Sequence, residues 1–321
     1  MARANPSGGG TTWAERAGMP ADPGPEATGV SATLAAMFRR AVITDEISQD
    51  LDVAVEMASA FGLDGIEVRT AWDVRIDRMT PDQLRRVRDT ATGRGLVVAS
   101  LASPVFKCNL DDPAEVAEHL DILRRCIEAA HALDTRLVRA FTFWRADDPG
   151  ARVGEIADHF AVAIRVLEGT GLTLVIENEH TCNVATSHEI ASFLDRLGNS
   201  SVRALWDPCN AYWSGEADAV GAGYARVRGH VAHVHVKDAL PSPDGGHAAT
   251  VLGEGAVGIP AQLETLRRDG FDGFVSLETH YRVHGALDDE LVKRPGGSAF
   301  SAGGEEGTRR CLAAWNAMQH A

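Results

Sequence analysis

The segment AVITDEISQDLDVAVEMASAFG, Ala41 to Gly62, joins a short apolar run to a helical pattern, and that junction decides the fold. Residues 41–48 read as a strand. Leu51, Val55, Ala58 and Phe61 then recur at helical spacing until Gly62 stops the pattern. A strand feeding a helix is the repeating unit of two architectures, a closed (β/α)8 barrel and a doubly wound open sheet with a nucleotide site. The second needs a glycine fingerprint directly after its first strand, where backbone must approach a pyrophosphate. TDEISQDLD, Thr44 to Asp52, has no glycine. The barrel is the reading that survives.

Outward from this junction the alternation repeats. GIEVRT (65–70), LVVASLAS (96–103), RLVRAFTF (136–143), LTLVIENE (172–179), VRALWDPCN (202–210), VAHVHVKDA (231–239) and FVSLETH (274–280) supply seven further strand-like runs. Amphipathic segments lie between most of them, at 81–95, 115–133, 155–171 and 261–271, and a last helix is expected within 304–318. Eight βα units match an α/β (β/α)8 TIM barrel in number and length. The glycine-rich GEGAVG, 253–258, follows the seventh strand and reads as a loop. The barrel domain is placed at 40–321. Residues 1–39 are rich in Gly, Pro, Ala and Thr, lack periodicity and an apolar h-region, and read as a disordered extension.

The 321 residues, 45% of them hydrophobic, suffice for the core of one large domain. A formal net charge of -14 argues against a nucleic-acid or anionic-membrane surface, since phosphate binding needs clustered Lys and Arg. No run is apolar enough to span a bilayer. The five cysteines, Cys108, Cys126, Cys182, Cys209 and Cys311, are odd in number and show no CxxC spacing. That usage points to a reducing, cytoplasmic setting rather than a disulfide framework or zinc ribbon.

In a parallel barrel, side chains alternate between the interior and the helix layer, and chemistry sits at the C-terminal strand ends. In VAHVHVKDA, Ala232, Val234 and Val236 suit the helix-facing layer, which sends His233, His235 and Lys237 inward, the last two nearest the top. The same alternation puts Glu177 with Val175, Asp207 with Leu205, and Glu278 with Phe274 and Ser276. Four consecutive late strands thus each deliver a metal-ligand candidate: Glu177, Asp207, His235 and Glu278. Parity alone leaves His233 open as the histidine donor. A single strand-end carboxylate is more often a helix cap or a barrel salt bridge. Three that converge repel one another, and a divalent cation relieves the repulsion. Three oxygen donors and one nitrogen suit six-coordinate Mn2+ or Mg2+ better than a closed zinc site.

VIENEH, LWDPCN, HVHVKD, LGEGAVGIPAQLETLRRDGFDG and SLETH, in that order, resemble the xylose isomerase-like TIM-barrel superfamily, in particular its sugar phosphate isomerase/epimerase family. The likeness runs from Ile43 to about Arg282. It implies one divalent metal on Glu177, Asp207, His235 and Glu278, with the second histidine of the HxH pair as the ligand. Mn2+ is the first expectation, with Mg2+, Co2+ and Zn2+ as alternatives. It further implies that Glu177 and Glu278 flank the substrate and exchange protons with the carbon beside its carbonyl. Two departures stand out. Several epimerases carry a histidine where this chain has Asn210, and a further substrate-contacting glutamate where Glu179, His180 and Asn183 lie here.

Candidate substrate contacts are His180, Asn210, Lys237, His280 and Lys107, the last in the FKCNLDD loop. Lys237 could instead pair with Asp238, Glu46 or Glu67, while Arg69 and Arg139 could neutralise acids within the barrel. Trp144, Trp206 and Trp213 either wall the pocket or pack in the core. The function expected is a metal-dependent isomerase or epimerase of a sugar or keto-sugar. The alternative is a lyase or dehydratase of a keto-sugar, inosose or 3-oxo-glycoside, including a C-glycoside deglycosidase-like subunit. Endonuclease IV-like DNA repair would need three zinc ions and a basic surface, and a non-catalytic subunit would have lost ligands. The partners expected are a small carbohydrate substrate and either a second copy of the chain or a small partner subunit, with no nucleic acid and no membrane.

Overall fold

The structure, a computed structural model, describes residues 38–242, 245–287 and 297–319. Residues 1–37, most of the expected extension, lie outside the described residues. Eight parallel strands form one sheet: β1 (Arg39–Val42), β2 (Gly65–Val68), β3 (Val97–Val105), β4 (Leu137–Ala140), β5 (Thr173–Glu177), β6 (Val202–Trp206), β7 (Val231–Val236) and β8 (Phe274–Leu277). They pair in chain order, and β8 returns to lie beside β1 in parallel register. Between β1 and β2 the barrel is nearly closed, by an Ile43–Glu67 bridge and by the Asp64 N–H donating to Arg40 O at 2.9 Å.

Around it run α1 (Leu51–Ala60), α2 (Pro81–Thr92), α3 (Pro113–Ala132), α4 (Pro149–Leu167), α5 (Ser187–Leu197), the short α6 (Pro208–Trp213), α7 (Ile259–Arg268) and α8 (Gly304–Gln319). Their starts follow local chemistry. Asp112 and Asp148 accept N–H bonds from the first turns of α3 and α4, each with proline just inside the helix. Thr80 with Gln83, and Thr186 with Glu189, form capping boxes at α2 and α5. Among the described residues no helix is long and apolar enough to cross a membrane. All five cysteines are free and buried.

The first strand differs from the 41–48 reading. It ends at Val42, and Thr44–Glu46 form a 3-10 turn. The reason is electrostatic: the turn aims Asp45 and Glu46 at Arg69, whose Nε lies 3.0 Å from Asp45 Oδ2 and whose Nη2 lies 2.7 Å from Glu46 Oε1. An extended chain would send these neighbouring side chains to opposite faces.

Layering mostly follows parity. Leu174, Ile176, Trp206, Val234, Val236, Val275 and Leu277 join the large core under the helices. Leu137, Val175, Leu205 and Ala232 form a separate small cluster on the inward-facing side of their strands. Ala232 therefore faces inward, contrary to the alternation read from VAHVHVKDA. The register explains it: Ala204 pairs with Val231 and Leu205 with His233, so Ala232 is the extra residue of a bulge.

The GEGAVG loop wraps an internal anion. Gly253 and Gly255 N–H groups donate to Asp238 Oδ2 at 2.9 and 3.0 Å, and Val257 N–H to Oδ1 at 3.3 Å. A Cβ on Gly255 would lie 2.1 Å from Asp238 Oδ1. The glycine serves close approach to a side chain of the same chain.

Candidate active site

Four strand ends meet at the barrel mouth. Glu177 is the last residue of β5, Asp207 and Glu278 directly follow β6 and β8, and His235 is the penultimate residue of β7. Each is buried. One donor atom from each of the four lies within 4.8 Å of all the others. Asp207 fills both roles weighed for it: it caps α6 by accepting from Asn210 N–H at 2.9 Å through Oδ1, and it turns Oδ2 toward the site. His235 Nδ1 is buried without a hydrogen-bond partner, 3.5 Å from Glu177 Oε1 and 3.8 Å from Glu278 Oε2. An orphaned imidazole nitrogen facing converging carboxylates fits a divalent cation.

The charges are coupled. Burial opposes ionisation of Glu278, yet Lys237 and His280 hold its carboxyl well below the usual range. Burial likewise opposes Glu177, and Arg139, with Nη1 3.0 Å from Oε2, brings it below its ordinary value. Burial pushes the Asp207 carboxyl up, with Lys237 only partly offsetting it and Glu177 and Glu278 adding to the rise. Against burial, Glu67 and Glu177 lift the His235 imidazole to about 10. The ring is thus an imidazolium at neutral pH unless a cation takes the proton's place.

Lys237 does not pair with Asp238, Glu46 or Glu67. Its Nζ donates to Asp207 Oδ2 and to Glu278 Oε2, the latter at 2.6 Å, because the alternation that turns His235 inward also turns Lys237 over the mouth. Glu67 instead accepts from His233 and His235. Of the other expected contacts, Asn210 Nδ2 donates to Glu177 Oε1 at 3.2 Å, and its own Oδ1 is buried without a partner. His280 Nε2 lies 3.7 Å from Glu278 Oε1, and its ring stacks on Trp213 with centroids 6.0 Å apart. His180 and Lys107 lie one step out, joined through Glu179: His180 Nδ1 is 2.7 Å from Glu179 Oε1, and Lys107 Nζ is 3.2 Å from Glu179 Oε2. Trp213 borders the site, with Lys237 Nζ 5.5 Å from its ring centroid, whereas Trp206 is core and donates to Gln262. Arg69 neutralises Asp45 and Glu46, and its Nη1 lies 3.6 Å from Glu278 Oε1. Arg282, absent from the sequence-based candidates, donates to Glu46 Oε2 at 3.1 Å and to Thr279 O at 2.6 Å. No local pattern marks it, since its partners lie on β8's own loop and on the turn after the neighbouring strand β1, far away in sequence.

Among solved structures, the chain is similar to D-psicose 3-epimerase with D-tagatose from Clostridium cellulolyticum H10, at 16% identity and a TM-score of 0.67, over 88% of this chain and 99% of that one. It is similar to the probable 3-DHS dehydratase AsbF of Bacillus anthracis at 16% identity and a TM-score of 0.67, over 87% and 99%. It is also similar to the IOLI protein with a binding zinc atom, at 17% identity and a TM-score of 0.66, over 88% and 98%. These likenesses show the fold. No curated protein matches the chain. The family model described as xylose isomerase-like TIM barrel matches residues 55–299, a span that runs from α1 past all four strand-end ligand candidates, and the chain belongs to that family.

Proposed function

We propose that this protein is a divalent-metal-dependent isomerase or epimerase of a sugar or keto-sugar, working in the cytoplasm by proton abstraction beside a carbonyl and through an enediolate. The observation that carries the reading is the convergence of Glu177, Asp207, His235 and Glu278 around the orphaned His235 Nδ1. A divalent ion on these four residues, with Mn2+ ahead of Mg2+, Co2+ and Zn2+, would supply Lewis acidity that lowers the cost of charge building on substrate oxygen.

The chain's own groups do the rest. Arg139 and Asn210 each engage one oxygen of Glu177, which keeps it a carboxylate and fixes its plane. Glu177 on β5 and Glu278 after β8 reach the mouth from either side of β6 and β7. One removes the proton from the carbon beside the carbonyl, and the other returns a proton to the opposite face, which inverts the centre. Return to the neighbouring carbon instead exchanges aldose and ketose. A positioned base of this kind contributes about 10²–10⁴-fold. The Lys237 ammonium beside Glu278 is placed to hold a substrate oxygen as negative charge develops there.

A lyase or dehydratase acting on a keto-sugar, inosose or 3-oxo-glycoside is the second reading. Its first proton abstraction is the same, and a structure named as a dehydratase matches this fold as well as one named as an epimerase. The test is to measure bound metal, then follow solvent deuterium into candidate ketoses. Deuterium in a product that keeps all substrate atoms supports isomerisation or epimerisation, and loss of water or another group supports the lyase. Protein that carries no metal, with Glu177→Gln leaving activity intact, overturns both.

A further inference from the structure

Behind the candidate metal ligands, Glu67 on β2 reaches across the barrel to two histidines of β7. Its Oε2 lies 2.9 Å from His233 Nε2 and 3.0 Å from His235 Nε2, and all three side chains have zero exposure. A bare ring nitrogen that close to a carboxylate oxygen is repelled by it, so each Nε2 must carry a hydrogen. For His235 this leaves Nδ1 facing Glu177 and Glu278 without a hydrogen-bond partner. His233 is further fixed by Ser276 Oγ, 3.0 Å from the same Nε2, and its ring meets that of His235 edge-on with centroids 5.4 Å apart.

We infer that Glu67 is the positioning residue of this site: it commits His235 to bind an ion through Nδ1 with the hydrogen on Nε2. The inference rests on the proposed metal-dependent function only in taking a cation as the site's occupant. A carboxylate behind a ligand histidine fixes its orientation and makes it a better donor. Glu67→Gln keeps the volume and removes the negative charge. An amide oxygen in the place of Oε2 can still accept from both rings, but as a neutral and weaker acceptor it no longer makes His235 the better donor, and the NH2 group falls where Oε1 has no partner.

The experiment uses Zn2+, a diamagnetic probe, on the full chain. Long-range 1H–15N spectra of the Zn2+-loaded wild type are expected to show His235 protonated on Nε2 with Nδ1 bound to the ion. Calorimetric Zn2+ titration of folded Glu67→Gln is expected to show affinity lower by about 10–100-fold, with the His235 signals displaced. Unchanged affinity in the folded variant overturns the inference. So does a wild-type spectrum with Zn2+ on His235 Nε2, and that spectrum decides the matter even where the variant fails to fold. A wild type with the expected spectrum that moves no proton on any ketose would remove the proposed function and leave the role of Glu67 standing.

Discussion

Arg139 donates through Nη1 to Glu177 Oε2 at 3.0 Å, while its Nη2 and Nε donate to Ala102 O and Ser103 O. The guanidinium thus ties the end of β5 to β3 through β4, and it is the nearest positive group to a buried glutamate that also faces Glu278. Arg139→Met is expected to strip that glutamate of its nearest positive charge and to cost the metal-free protein about 3–5 kcal/mol, read from urea unfolding. Loss of the arginine also lets the Glu177 carboxyl rise, so the acid limb of the rate profile should move to higher pH. An unchanged limb together with unchanged stability would mean that the pair organises nothing.

The raised His235 imidazole, at about 10, gives a signed pH dependence. A group raised in the folded state stabilises fully below its unfolded value, near 6.5 for histidine, and that stabilisation is lost as pH climbs through the folded value. Its size is on the order of 5 kcal/mol. With chelator present, the urea midpoint should fall steadily from about pH 7 to about pH 10. Mn2+ affinity should run the other way and rise by up to about tenfold per pH unit over the same window, because the ion needs the nitrogen the proton holds. Calorimetry in buffers of different ionisation heat would register the released proton. A flat Mn2+ affinity across that window contradicts the assignment of His235.

The strand ends were legible because two rules agree there. Parity sends Glu177, Asp207, Glu278 and both His233 and His235 inward, and strand order brings β5 to β8 together; the choice of His235 over His233 came from the family resemblance. Ala232 was misread because a bulge resets the alternation, and a bulge is fixed by the neighbouring strand's register, not by the bulged strand's own residues. The partners that Lys237 and Glu67 take were not among those weighed from the sequence, for a related reason. Alternation tells which side chains enter the barrel but not how far each reaches across it, and Glu67 reaches from β2 to β7. The turn at Thr44–Glu46 was hidden for a third reason: its apolar neighbours Ile43 and Ile47 continue the strand pattern, and the groups that make the turn favourable, Arg69 and Arg282, come from other parts of the chain.

Gly255 is the tightest point of the loop that holds Asp238, with an added Cβ only 2.1 Å from Oδ1. The contact is with a carboxylate fixed by Gly253, Gly255, Val257 and Ala239 amides, so it cannot swing aside cheaply. Gly255→Ala is expected to cost at least about 3 kcal/mol and to release the loop. Because Asp238 directly follows Lys237, the variant should also weaken Mn2+ binding. Hydrogen exchange at the Gly253, Gly255 and Val257 amides would follow the release, and wild-type protection there would refute it.

Lys237 and a divalent ion offer the same thing to the same carboxylates, namely positive charge beside Asp207 and Glu278. Lys237→Met keeps most of the aliphatic stem and removes the ammonium, which in the metal-free protein takes from buried Asp207 its ion-pair partner and from Glu278 the nearest of several. Breaking such a pair costs about 3–5 kcal/mol. An added ion restores charge at the site, so saturating Mn2+ should raise the melting temperature of Lys237→Met by more than it raises that of the wild type. The comparison isolates the electrostatic role from packing, because a lost packing contact would lower both forms of the variant equally. Equal Mn2+ shifts in the two proteins would place Lys237 outside the charge balance of the site and leave it only the substrate-facing role.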